Sequence, residues 1–411
     1  MNKTRFALAF FVLLLIEIPI SSGESANNKL AVEKLPALDM SNITYKGAFR
    51  IPIATAGDSR MAYSQGTFTL ASDNQSIFVT GHIQHQAISQ LSIPKILDNQ
   101  DITELQMAKV LQPFSKIFGR AATGNKQGID KITGLEHIFG QLIVNGVEYY
   151  DADANATDTT LIVRDSSKLL TSKVDGFFRL KGGAHAAGWI SIIPQEWRSI
   201  FAAKFMSGFA SNYAINGRNS IGPTAFTFFP EALLDSTENR GAIITEQFLG
   251  YSLEHPLHSN RYNSSGRNNL WTEVSTAMYG FIVPGTSSYL VVGNSGGHNS
   301  GIAYKIRQDN GKLCGGPCSK KAADNYNYFW IWDVYDMVKV AKGELQPYQP
   351  RPVKYGVFDD NRSSWRLIGA DYDSVNSLLY VMYKGRDKNQ SKYESAPLMV
   401  VYHVASKLTT R

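Results

Sequence analysis

Two cysteines in 411 residues are too few for a disulfide framework, so this fold has to rest on its core. The material for one is present, because 43% of the chain is hydrophobic and 11% aromatic. Long apolar runs are scarce. Apart from residues 6–20, no stretch is long and apolar enough to span a bilayer. Long amphipathic stretches are missing too, which argues against a mainly helical fold. No Pro/Ser/Gly-rich linker and no charge block separates one half from the other, so a single large domain is expected despite the length. No Lys/Arg run resembles a nucleic-acid-binding tail. There is no nucleotide-binding glycine loop and no Gly-x-Ser-x-Gly elbow. Asp and Glu are scattered, and no pair stands out as the two carboxylates of a glycoside hydrolase.

What the chain does have is a recurring phrase: an apolar alternating run, a polar turn, and a second apolar run. Residues 67–72, 73–76 and 77–80 form one copy. Residues 367–371, 372–376 and 377–383 form another, and 140–145, Gly146 and 147–150 a looser third. Period-two alternation around turn residues predicts antiparallel hairpins. Hairpins repeated along a whole chain must close on themselves or stack, or each leaves a bare edge. Strands are predicted at 45–51, 67–70, 77–80, 88–93, 141–147, 160–163, 188–193, 224–229, 277–283, 289–292, 328–332, 365–368, 378–382 and 398–404. Short helices are predicted at 194–201, 230–234 and 334–340. This even spread predicts an all-β fold, a single-domain β-propeller of about seven blades. A propeller gathers its ligand site from loops at one mouth of the central channel.

At the N-terminus, Lys3 and Arg5 precede the apolar run 6–20, and Ser21-Ser22-Gly23 supplies small residues for cleavage. Residues 1–23 read as a secretory signal peptide and residues 24–411 as the mature chain, secreted or periplasmic. Without the leader the net charge falls from +6 to +5. A basic secreted protein suits an anionic glycan or an acidic surface, although solubility alone also explains the charge. Cys314 and Cys318 lie in Cys-Gly-Gly-Pro-Cys. Two readings stay open: a small-loop disulfide, or a metal clip joined by His298 or Asp324.

Strand ends carry the candidate chemistry. His82 and His85 follow the strand at 77–80. Strict alternation puts them on opposite faces. Tyr149 and Tyr150 follow the strand at 141–147, and Arg164 follows its partner at 160–163. A guanidinium beside a phenol lowers the phenol's pKa and makes a tyrosine base feasible. His137, His185, Tyr213, Arg218, His255 and His258 are further polar or aromatic side chains in turn-like stretches.

Residues 45–52, 76–82, 218–226, 330–336 and 397–404 together resemble a group of secreted bacterial β-propeller proteins, closest to the ulvan lyases of polysaccharide lyase family 25. That resemblance implies β-elimination on a uronate-containing polysaccharide, with no organic cofactor. A cation neutralises the carboxylate, a Tyr or His removes the C5 proton, and an acid protonates the leaving O4. The implied catalytic residues are His85 or His82, Tyr150 or Tyr149, and Arg164, with His137, Tyr213 and Arg218 as substrate contacts. The resemblance also implies one structural zinc on His298, Cys314 and Cys318, with no fourth ligand in evidence. A non-catalytic glycan- or surface-binding propeller and a hydrolase on the same scaffold are the alternatives.

Overall fold

Hairpin after hairpin, the chain builds five radial sheets, not seven. The structure is a computed structural model that describes residues 35–151, 153, 155–209, 220–235 and 241–405. Residues 36–411 form one compact unit. The chain enters on β1 (Ile43–Arg50). The first blade is β2 (Phe68–Leu70), β3 (Ser76–Thr80), β4 (Ala87–Ser92) and β5 (Val110–Lys116). The second is β6 (Lys131–Ile138), β7 (Gln141–Val147), β8 (Asp158–Val163) and β9 (Val174–Leu180). The third is β10 (Ile190–Ile192), β11 (Phe205–Ser207), β12 (Ala225–Phe228) and, after the short β13 (Ala242–Ile243), β14 (Gln247–Leu249). In the fourth, β15 (Thr276–Ile282) and β16 (Ser288–Gly296) are followed by an inserted hairpin, β17 (Ile302–Tyr304) and β18 (Pro317–Ser319). The blade resumes with β19 (Asn325–Asp333) and β20 (Lys354–Val357). The fifth is β21 (Leu367–Asp373), β22 (Leu378–Asp387) and β23 (Ala396–Val404), completed by β1. Three short helices occur where predicted: α1 (Gln195–Phe201), α2 (Pro230–Leu234) and α3 (Val334–Ala341). Among the described residues, no helix is long and apolar enough to cross a membrane.

The first and last strands share a sheet. Antiparallel pairing of β1 with β23, from Ile43 opposite Val404 to Arg50 opposite Leu398, shuts the ring and removes the edge that an open stack would leave. The innermost strands β2, β6, β10, β15 and β21 touch in that order around the axis and back to β2. The central strands of the blades are buried on both faces and read as nearly continuous apolar runs, whereas outer strands such as β5 and β20 are largely exposed. β3 is buried throughout and β23 almost so. The core is therefore a series of slabs between blades. Phe49, Phe68 and Met382 fill one slab, Phe78, Ile132 and Val144 the next, and Ile143, Phe178 and Phe228 a third.

Five blades make a tight ring, and glycine permits the closest approaches. A Cβ on Gly134 of β6 would lie 1.7 Å from the Gly188 carbonyl oxygen. One on Gly369 of β21 would lie 1.9 Å from the Gly66 oxygen. Gly146 is not a turn. It lies inside β7, where a Cβ would come 2.8 Å from Ile129. The expectation of seven blades fails because long connections, such as residues 250–275 and 297–324, take up chain length that seven compact repeats would have used.

Candidate functional site

The inner strands all run the same way along the axis, so the ring has two distinct faces. On the upper face lie the starts of β2, β6, β10, β15 and β21, with the loops β3–β4, β7–β8, β11–β12, β16–β19 and β22–β23. The lower face carries the other connections. This topology sorts the sequence-predicted residues.

His82 and His85 are on the upper face. Residues 82–85 form a turn rather than a continued strand, so alternation does not separate them. Their rings stack with centroids 4.6 Å apart. Ser59 Oγ accepts from the His82 backbone N–H at 3.0 Å and lies 3.1 Å from His85 Nδ1. Burial, then the neighbouring His85 and Arg60, hold His82 below the ordinary imidazole value. Tyr149 and Tyr150 are on the same face, with Lys131 Nζ 5.8 Å over the Tyr149 ring.

Arg164 is not with them. In an antiparallel pair the end of the second strand lies beside the start of the first, and Val163 is opposite Leu142. The length of β7, roughly 20 Å at strand rise, separates Arg164 from the tyrosines. On the lower face Arg164 Nε pairs with Asp175 at 2.6 Å, and Nη1 donates to Gln141 and to the Leu234 carbonyl. His137 is on the lower face as well. The Ser72 backbone N–H donates to its Nδ1 at 2.9 Å, its Nε2 meets Ser166 Oγ at 2.9 Å, and its ring stacks on Phe78. Tyr213 and Arg218 lie outside the described residues.

Of the two readings left open for Cys314 and Cys318, the structure shows the disulfide. The bond ties Cys314, in the connection between β17 and β18, to Cys318 within β18, so in this state neither sulfur is a thiolate. His298 packs between Tyr326 and Tyr328, with Nε2 2.8 Å from Ser295 Oγ. Among the described residues, no three His, Cys, Asp or Glu are grouped to hold a metal.

The upper face also holds what sequence reasoning missed. A cavity of about 640 Å³ opens between the fourth and fifth blades, under the disulfide hairpin. Tyr149, Tyr262, Tyr304, Tyr326 and Trp365 line it, with Asn294, Gln308, Asn325, Glu273 and Arg366. Glu273 is paired with Arg261 at 3.3 Å. Burial, and then Asp324, raise the Tyr326 phenol, which therefore stays protonated at neutral pH. Beside the cavity three cations gather. Arg366 adjoins Lys384, whose backbone N–H bonds the Arg366 carbonyl, and Arg386 lies 4.1 Å over the Trp365 ring. Burial and Arg366 push the Lys384 ammonium below its usual value, and Arg386 Nε is buried with no hydrogen-bond partner among the described residues. The overhanging hairpin adds Lys305, Arg307, Lys312, Lys320 and Lys321 against one acid, Asp309, between residues 302 and 321. Six exposed tyrosines, Tyr63, Tyr149, Tyr150, Tyr262, Tyr304 and Tyr393, lie on this face, while Tyr355 is exposed in the outer strand β20.

No protein-family profile matches this chain, and no curated protein matches it significantly.

Proposed function

We propose that this chain is a secreted or periplasmic propeller that engages an anionic polysaccharide across its upper face. The observation that carries the reading is the cavity of about 640 Å³, walled by aromatic rings and amides, with Arg366, Lys384 and Arg386 beside it. Rings offer flat faces for sugars, amides bond hydroxyls, and the cations answer carboxylate or sulfate groups. Lys384 is destabilised as a cation by burial first and by Arg366 second, and a bound anion would offset both. The disulfide fits an oxidising compartment. The test is titration of the intact chain with ulvan, polygalacturonate and a neutral glucan. Saturable binding of the two acidic polymers, weakened by salt and by Arg366→Ala, is the expected result. Equal binding of the neutral glucan removes the proposal.

A second reading is β-elimination, which the family resemblance implies. It is favoured by one observation: Arg366, Tyr149 and Tyr326 line the same cavity. In this reading Arg366 neutralises the uronate carboxylate in place of the distant Arg164. Tyr149, as its phenolate, takes the C5 proton, the C4=C5 bond forms as C4–O4 breaks, and the protonated Tyr326 gives its proton to the leaving O4. A rise in unsaturated-uronate absorbance on mixing with ulvan, abolished by Tyr326→Phe, separates eliminase from binder. Binding without that rise leaves the binding reading alone.

A further inference from the structure

The channel has a second mouth, and its charge is opposite. On the lower face a cavity of about 190 Å³ is lined by the acids Glu136, Asp371 and Asp373, with no Lys or Arg among the described residues that line it, although the chain as a whole is basic. His137 is its one imidazole. Burial holds that ring low against the opposing pull of Asp73, and both its nitrogens are engaged by serines. Two of the acids are committed to the fold. Asp371 takes the Leu70 and Tyr372 backbone N–H groups at 2.7 and 2.8 Å and Thr69 Oγ1 at 3.1 Å, together with the Tyr279 phenol. Asp373 takes Asn74, Asn376 and two backbone N–H groups. Glu136 is different. It stands partly exposed at the cavity, and the charge it feels is that of Asp371; burial and that charge push its carboxyl well above the usual range. On the neighbouring β10, Ser191 Oγ lines the same cavity. Ser191 is 2% exposed, and its hydroxyl has no hydrogen-bond partner among the described residues.

A carboxyl in a negative field and a dry hydroxyl thus meet one small space. Buried polar groups are normally paired, so the Ser191 hydroxyl points to a missing partner, and the Glu136 carboxyl beside Asp371 points to something that supplies positive charge. The space continues past Ile192, Tyr279 and Tyr372 into a recess of about 200 Å³, which Glu196 and Arg198 also line; the Arg198 guanidinium is engaged by the Ile193 carbonyl and Gln195. There Phe281 and Tyr372 stack with centroids 4.4 Å apart. Aromatic faces attract cations and carry the apolar face of a sugar ring. We propose that this lower mouth binds a protonated primary amine of amino-sugar type, its ammonium held by the Glu136 carboxylate and Ser191 Oγ and its carbon frame against Phe281 and Tyr372. An ammonium needs few acceptors, whereas a metal ion needs a grouping of strong ligands that the described residues do not provide.

The test uses the intact chain, titrated by calorimetry at low salt with glucosamine, N-acetylglucosamine, glucose and calcium chloride. Saturable binding of glucosamine alone is expected. Glu136→Gln should weaken it by about ten- to a hundredfold, as expected for loss of a charge-assisted bond. Ser191→Ala should weaken it less, and Arg366→Ala should leave it unchanged. Repeating the titration in buffers of different ionisation heat should show proton release from Glu136 on binding. Equal binding of glucosamine and N-acetylglucosamine overturns the proposal without any variant. Calcium binding in place of glucosamine overturns it as well, as does full affinity in folded Glu136→Gln. None of these outcomes depends on the upper-face polysaccharide reading.

Discussion

Ring closure at five blades makes a sharp demand on Gly134. Alanine there places a Cβ 1.7 Å from the Gly188 oxygen and 2.5 Å from its carbonyl carbon. Both atoms are backbone, so nothing flexible can swing aside. A normal contact needs β6 and the segment leading into β10 to part by more than an ångström, yet both are fixed within the ring of inner strands. Overpacking in a tight interior costs about 1–3 kcal/mol and occasionally more. Backbone on both sides puts this case at the upper end, about 3 kcal/mol. For the unit spanning residues 36–411, melting entropy near 2.1 cal/mol/K per residue gives roughly 1.3 °C per kcal/mol. Gly134→Ala should therefore lower the melting temperature by about 4 °C in scanning calorimetry. Gly119, whose added Cβ meets nothing within 4 Å, is the control, and Gly119→Ala should be neutral or slightly stabilising. A Gly134→Ala protein that melts with the wild type would refute the close approach, and with it the five-blade register at the axis.

Arg164→Ala should cost on the order of 3 kcal/mol, because it strands the buried Asp175 with only Lys173 beside it; denaturant melts give the value, and polysaccharide binding should not change. Burial opposes ionisation of Asp175, but Lys173 and Arg164 outweigh it and hold the carboxyl below its ordinary value. That stabilisation is present above the ordinary carboxylate range and is lost as pH falls through the folded value, so the wild type's advantage over Arg164→Ala should shrink in melts below about pH 4. Burial also lowers the imidazoles of His137 and His298. Their unfolded forms take up protons first as pH falls below 6.5, so stability should decline from there toward pH 5, and replacement by Gln should flatten the slope. A flat wild-type profile would contradict the burial of both rings. Reducing the Cys314–Cys318 disulfide should loosen the hairpin by about 2 kcal/mol on the chain-entropy estimate. It should weaken polysaccharide binding while barely moving the global melt, and unchanged affinity after reduction would separate the hairpin from the site.

Much of the scaffold could be read before any coordinates. Period-two alternation around Asp73–Ser76 and around Tyr372–Asn376 marked the β2–β3 and β21–β22 hairpins, and Pro230 opens α2 where its ring suits a first turn. Strands of three or four residues, such as β11, β14 and β20, are too short to show a period, and the inserted β17–β18 hairpin interrupts a blade. For those reasons the blade count was not legible. The site suffered from two geometrical confusions. Treating the ends of β7 and β8 as neighbours ignored antiparallel direction and misplaced Arg164. Extending strand alternation through residues 82–85 hid a turn that stacks two histidines. The cations of the fifth blade were visible as Arg366, Lys384 and Arg386, each next to a strand or inside one. Their meeting depends on the β21–β22 register, which puts Leu367 opposite Tyr383 and so Arg366 beside Lys384.

The most direct measurement is the affinity of one acidic polysaccharide for the wild type, Arg366→Ala and Arg164→Ala at two salt concentrations. Upper-face recognition predicts that loss of Arg366 weakens binding by about tenfold and reduces its salt dependence, while loss of Arg164, on the other face, leaves both unchanged. If removing Arg164 abolishes binding and removing Arg366 does not, the ligand lies on the lower face and the account is wrong.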